Sequence, residues 1–318
     1  MRRAALIPIA FLLAATAAAG VPEVAVVKHG PALRIAVIGD IGSGPAAAAK
    51  GLARIHATAP LDAIVVTGDN IYPCGVSSPA DPSWDRIRGT LSTLGIPIYP
   101  VLGNHDYGEP TLTKNGWHPC RHGDPGAQVG IDSVPHWVFP ARDYLIRSDV
   151  ATFAMIDTTP IVLGASSPVL GSRSASEVRS DLRAMLQEGK GWHIVVGHHV
   201  IFSSGWHGQF PRDQGNRMRA LIPLLREGHA DLYICGHDHH LELIGPMSPR
   251  GRRPLFLVSG AGSEPISPIG LRYDTLFPTS RVRATIGFAI LDITDRMLGI
   301  TFYRADGTAL SERYVFLR

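Results

Sequence analysis

Gly68-Asp69-Asn70-Ile71-Tyr72 follows the apolar run Ala63-Ile64-Val65-Val66-Thr67, and this junction decides the fold. A short run rich in β-branched side chains and bounded by glycine reads as a buried β-strand. A strand ending in Gly-Asp puts a carboxylate at the C-terminal edge of a sheet, where open α/β sheets hold their ligands. The phenol of Tyr72 lies three residues beyond Asp69, close enough to face the same point. One Gly-Asp after one strand is more often a turn than a site. Here the same punctuation recurs along the chain.

Upstream, Arg34-Ile35-Ala36-Val37-Ile38 runs into Gly39-Asp40, Gly42 and Gly44 make a turn, and an Ala-rich helix spans Pro45 to Ala57. Downstream, a helix is expected from Pro82 to Leu94 with Asp81 as its N-cap, and then Pro97–Leu102 ends in Gly103-Asn104-His105-Asp106. Three strand-to-acidic-turn units separated by helices argue for a parallel βαβαβ core. The pattern continues with Ala151–Ile156 before Asp157, a helix capped by Ser176 and running to Glu188, and His193–Val196 before Gly197-His198-His199. Arg212 to Arg226 is helical by pattern apart from Pro223. Asp231–Cys235 runs into Gly236-His237-Asp238-His239-His240, and Pro254–Ser259 into Gly260-Ala261-Gly262. The tail alternates like antiparallel strands at Gly287–Thr294, Leu298–Arg304 and Arg313–Leu317.

Tyr107 to Pro140 lacks periodicity and reads as a long functional or mobile loop. Its Trp117, His118, His122, His136 and Trp137 are site candidates, with loop packing the commoner role for each. No repeat or linker splits the chain. Residues 20–318 read as one α/β domain, two packed sheets with helices outside them.

Composition narrows the classes. With 45% apolar and 18% charged residues among 318, the chain is an ordinary globular protein. A formal charge of +3 supports neither a nucleic-acid binder nor a polybasic membrane binder. Arg2-Arg3, the apolar Ala4–Ala15 and the small residues Ala17-Ala18-Ala19 read as a secretory signal over residues 1–19. That apolar stretch is shorter than the roughly 20 residues a membrane span needs. The mature chain is therefore expected to be exported, off the membrane and monomeric. Three cysteines in an oxidising compartment suggest one disulfide and one buried thiol. Cys235 sits in an apolar strand; Cys74 and Cys120 either bridge their two loops or stay apart.

The strand ends collect Asp40, Asp69 with Tyr72, Asn104 with His105, His198, His237 and His239. Carboxylates, an amide oxygen, imidazoles and a phenol, without a thiolate, suit Fe, Zn or Mn. They exceed what one four-coordinate ion needs, whereas two ions sharing a carboxylate would use them all. Asp69, central in order, is the natural bridge. His237 and His239, spaced by two, can serve neighbouring ions from one face.

In order, Gly39-Asp40, Gly68-Asp69-Asn70-x-Tyr72, Gly103-Asn104-His105-Asp106, Gly197-His198 and Gly236-His237-Asp238-His239 resemble the five blocks of calcineurin-like metallophosphoesterases. Tyr72 narrows the resemblance to the small purple acid phosphatases of the tartrate-resistant type, in which a tyrosinate binds ferric iron. The likeness runs from about Arg34 to Ser263, including Met155-Ile156-Asp157-Thr158 and Val258-Ser259-Gly260-Ala261-Gly262. It implies a four-layer α/β/β/α sandwich with two mixed β-sheets. It also implies Fe(III) on Asp40, Asp69, Tyr72 and His239, and a second divalent metal (Fe, Zn or Mn) on Asp69, Asn104, His198 and His237. One departure is Val200, where the family commonly has Pro; His198 rather than His199 is taken as the ligand because it follows Gly197. The implied activity is acid hydrolysis of small phosphate monoesters by metal-activated water. His105 would be the general acid, Asp106 its orienter, and His207 in Ser204-Gly205-Trp206-His207-Gly208 an assistant. Physical chemistry agrees, since two cations can clamp a polyanionic ester and activate water, and the leaving alkoxide needs a proton. A phosphodiesterase or nucleotidase on the same scaffold is the alternative. A non-catalytic binding protein is the more distant one, disfavoured because every ligand position is filled.

Overall fold

The computed structural model describes residues 20–108, 111–113, 116–118, 120, 123–163, 173–209, 214–245, 254–270, 275–278 and 285–318. The leader read at residues 1–19 and the candidate His122 lie outside them. Two mixed sheets organise the rest. The first has six strands, in the order Tyr314–Leu317, Met297–Arg304, Gly287–Ile293, Leu33–Ile38, Ala63–Val66 and Ile98–Pro100. Its last three strands are parallel, as the repeated strand-to-acidic-turn pattern requires, with Ile38 level with Val66 and Val66 with Pro100. The alternating tail pairs antiparallel onto Leu33–Ile38 from the other side.

The second sheet has eight strands, in the order Glu23–Ala25, Tyr144–Arg147, Ala151–Met155, Trp192–Val196, Leu232–Cys235, Leu255–Ser259, Leu241–Ile244 and Thr275–Pro278. Ala151–Met155, Trp192–Val196, Leu232–Cys235 and Leu255–Ser259 run parallel. Successive side chains on a strand point to opposite faces, and these strands divide accordingly. Ile194, Leu232, Ile234, Leu255 and Leu257 pack with the six-stranded sheet in one core. Val195, Tyr233, Cys235, Phe256 and Val258 pack outward against Val178, Leu182 and Met185 of the helix Ala175–Gln187. On the far side, Ala48, Leu52 and Ile55 of the helix Ala46–Thr58 join the first core. Each fully buried Leu, Ile or Val in these layers is worth about 1.5–3 kcal/mol.

Several boundaries differ from the expectation for local reasons. Pro82–Leu94 is not one helix but a sequence of short turns, Pro82–Trp84, Asp85–Arg88 and Leu91–Leu94, interrupted at Gly89 and Thr90. Asp81 does cap, accepting from Ser83 N at 2.9 Å. The second long helix is capped by Ser174, not Ser176, because only Ser174 has a glutamate three residues on; Glu177 closes the capping box. Pro223 lies in the first turn of Ile222–Glu227, where its missing N–H costs nothing, and a separate helix covers Gln214–Arg219. The described residues of the 107–140 stretch carry regular structure that the sequence does not signal. It contains the hairpin Thr111–Thr113/Gly116–His118 and the turn Pro125–Gln128. Trp137 is buried edge-to-face on Trp84, while His136 is exposed. Side chains of the hairpin, Trp117 and His118 included, lie outside the description. Cys74 and Cys120 are disulfide-bonded, and Cys235 is a buried free thiol.

Candidate metal centre

The C-terminal ends of strands from both sheets meet at one place. Asp40, Asp69 and His237 each take a left-handed backbone, with φ of 55°, 52° and 66°. Such values are uncommon outside glycine and cluster at functional sites. The turn glycines fit this crowding. A Cβ on Gly103 would collide with the Asp69 carboxylate, and one on Gly236 with that of Asp40. Glycine is thus required at these junctions by close approach of the donors.

The seven predicted ligand residues converge as two sets. In one, Tyr72 Oη lies 3.1 Å from Asp40 Oδ1 and 3.1 Å from His239 Nε2, with His239 Nε2 3.3 Å from Asp40 Oδ1. In the other, His198 Nε2 lies 3.0 Å from Asn104 Oδ1, 3.1 Å from His237 Nδ1 and 3.4 Å from Asp69 Oδ1. Asp69 also lies with Asp40 and His198 in a group whose donor atoms are within 4.8 Å of one another. His198, His199 and His237 form a second such group.

The donor chemistry fits cations. His198 Nδ1 lies 2.8 Å from Thr67 O, which sets that nitrogen as the proton donor and turns the Nε2 lone pair inward. His237, buried among His207, His199 and His198, is held well below the ordinary imidazole range and so presents a neutral ring. Burial opposes charge on Asp69, but His198 and His105 outweigh it and keep the carboxyl below its usual range. Burial, with the carboxylates of Asp40 and Asp69, raises the Tyr72 phenol well above its own. Burial lowers His239, but the hydrogen bond and charge of Asp40 overcome it and push the imidazole up to about 9. A metal on this side therefore has to displace the Tyr72 and His239 protons. His199 turns away. Its Nδ1 pairs with Thr158 Oγ1 at 2.8 Å, and that oxygen also accepts from the backbone N–H of His198 and His199.

His105 and His207 stand at this cluster, and Asp106 does not. The His105 ring is fixed by Nδ1 on Pro73 O at 2.7 Å, leaving Nε2 3.9 Å from Asp69 Oδ2. The His207 ring centroid is 3.8 Å from that of His237. Asp106 does not orient His105. Its buried carboxylate accepts from Asn70 N, Asn70 Nδ2, Ile71 N, Gly103 N and Gln128 Nε2, at 2.9–3.3 Å. His105–Tyr107 is a single 3₁₀ turn, in which neighbouring side chains diverge by about 120°. Asp106 ties the Gly68 turn to the Gly103 turn. Asp106→Ala should therefore cost about 3 kcal/mol or more of stability, by stranding buried donors. Urea unfolding at pH 8, above the value of about 6 to which burial and Asp69 raise this carboxyl, would measure it.

Two residues beyond the predicted set support it. The Pro73 carbonyl could not be identified from sequence. Asp238 could, being inside Gly236-His237-Asp238-His239. It accepts from Ser203 Oγ at 2.5 Å and from His207 N at 3.1 Å, pinning the loop that carries His207.

Residues 33–241 match the family model described as Calcineurin-like phosphoesterase. Purple acid phosphatase 4 of Arabidopsis thaliana is 30% identical over 95% of this chain and 90% of its own length. Tartrate-resistant acid phosphatase type 5 of Sus scrofa is 24% identical over 88% of this chain and 86% of its own. The structure of GAP50, the anchor in the inner membrane complex of Plasmodium, shares the fold with a TM-score of 0.69 at 23% identity, covering 91% of this chain and 89% of that one. The chain belongs to the calcineurin-like phosphoesterases, within their purple acid phosphatase group, and is a phosphoester hydrolase.

Proposed function

We propose that the protein is an exported acid phosphatase that hydrolyses phosphate monoesters at a binuclear Fe(III)–M(II) centre, M being Fe, Zn or Mn. The observation that carries this is the division of seven donors into two sets that meet at Asp69, with a phenol in only one of them. Asp40, Asp69, Tyr72 and His239 would hold the ferric ion, and Asp69, Asn104, His198 and His237 the divalent one. When bound, the ions would neutralise charge on the ester and lower the pKa of water at the site.

The chain's own residues do the rest. Thr67 O holds the His198 ring in its inward orientation. His105, steered by Pro73 O, would turn Nε2 toward the leaving oxygen and give it a proton. Asp238 keeps the His207 loop against His237. Export is supported by the basic and apolar leader at residues 1–19 and by the Cys74–Cys120 disulfide, a bond that persists in oxidising compartments. Among the described residues, no helix is long and apolar enough to cross a membrane.

The test is a visible spectrum with elemental analysis for Fe, Zn and Mn. The expected result is a broad purple charge-transfer band that Tyr72→Phe abolishes. A colourless protein holding two Zn or Mn ions would remove ferric iron from the proposal. Rates on monoesters against diesters would separate it from a phosphodiesterase.

A further inference from the structure

The chemistry sits at the bottom of the site, where Asp40, Asp69 and His198 are almost fully buried. An ester reaching them must leave its alcohol portion at the mouth, where His105 and His239 retain some exposure. Six large apolar side chains are exposed among the described residues, and three of them are Trp206 at 61%, Ile266 at 59% and Ile269 at 51%. All three lie on segments fastened to the site. Trp206 precedes His207, whose ring contacts His237. Ile266 N donates to His239 O at 2.6 Å, and Ile269 N to Ser204 O at 3.1 Å. Gly270, next to Ile269, passes the Gln209 end of the short helix Trp206–Gln209. Scattered single apolar residues on a surface need no explanation, but three on segments bonded to the loops of one binding site do.

We propose that Trp206, Ile266 and Ile269 form an apolar seat for the alcohol portion of the ester, so that favoured substrates are phosphate monoesters of hydrophobic alcohols. The proposal rests on the monoesterase reading and adds the substrate class. A phosphate held below and an apolar group held above is the usual make-up of a small-molecule site, in which a few polar groups fix orientation and apolar walls supply affinity. An indole offers a broad face at little entropic cost.

The test uses the metal-loaded protein and n-alkyl phosphates from ethyl to hexyl. Their alcohols are nearly equal in basicity, so the chemical step is constant and chain length reads contact alone. One methylene is worth about fourfold in kcat/KM when fully buried and about twofold when half buried. A rise of that order per carbon is expected, flattened in Trp206→Ala and, independently, in Ile269→Ser. Each variant is judged by its own hexyl-to-ethyl ratio, so a general loss of rate does not imitate the effect. Calorimetric binding of hexylphosphonate against ethylphosphonate gives the same comparison without turnover. Hydrolysis with no dependence on chain length would overturn the seat and leave the monoesterase reading standing. A concentration-dependent dimer dissociated by Trp206→Ala, without chain-length dependence, would reassign the patch to self-association. No hydrolysis of any monoester would overturn both readings.

Discussion

Asp69→Asn is expected to lower kcat/KM on phosphate monoesters at least about a thousandfold, with a matching loss of bound metal. Asp69 is the residue the two donor sets share, so its loss weakens both at once. The substitution keeps the shape and removes the charge. Its carboxylate is buried, accepts from His105 N at 3.0 Å, and lies 3.4 Å from His198 Nε2. Metal-assisted charge stabilisation is worth several kcal/mol, and each 1.36 kcal/mol is about tenfold in rate. Elemental analysis of the variant beside its kinetics is the check. Full metal content with normal turnover would mean that Asp69 is not the bridge.

The second large effect is at His105. His105→Ala should cost about 10²–10⁴ in kcat on alkyl phosphates, the range of general acid catalysis. On an aryl ester with a low-pKa leaving group the cost should be far smaller, because that oxygen departs without a proton. Metal content should be unchanged, since His105 reaches Asp69 only through its backbone N–H and a 3.9 Å side-chain approach. An equal loss on alkyl and aryl esters would assign His105 to binding rather than to proton transfer.

Much of this site was legible because the fold writes it at strand ends. Ala63–Val66 before Gly68-Asp69 and Leu232–Cys235 before Gly236-His237 are apolar runs stopped by glycine and then a ligand-type residue. The glycine is present because the donors crowd it, so local sequence carries the information. The seven convergent donors follow from that rule. Features set by distant parts of the chain did not show. Leu241–Ile244 begins two residues after His239 with no intervening turn signal, and it becomes a strand by pairing with Leu255–Ser259. Asp106 looked like a partner for His105 through adjacency in sequence, whereas its real partners are 3 to 36 residues away. The disulfide lay between these cases: Cys74 and Cys120 sit beside site loops, but only the folded chain brings them together.

The Asp106 crosslink bears on how freely the ions can be interchanged. The two turns that carry Asp69 with Tyr72 and Asn104 are tied through the Asp106 carboxylate, which stands outside both donor sets, so their separation is a property of the polypeptide. On the proposed binuclear reading, such a site would behave as a mould, cast before the metal arrives. Iron, zinc and manganese differ in preferred distance and in hold on water, yet each would enter a frame of the same dimensions. Supply in the surroundings, more than any selective grip of the protein, would then determine which divalent ion the molecule carries.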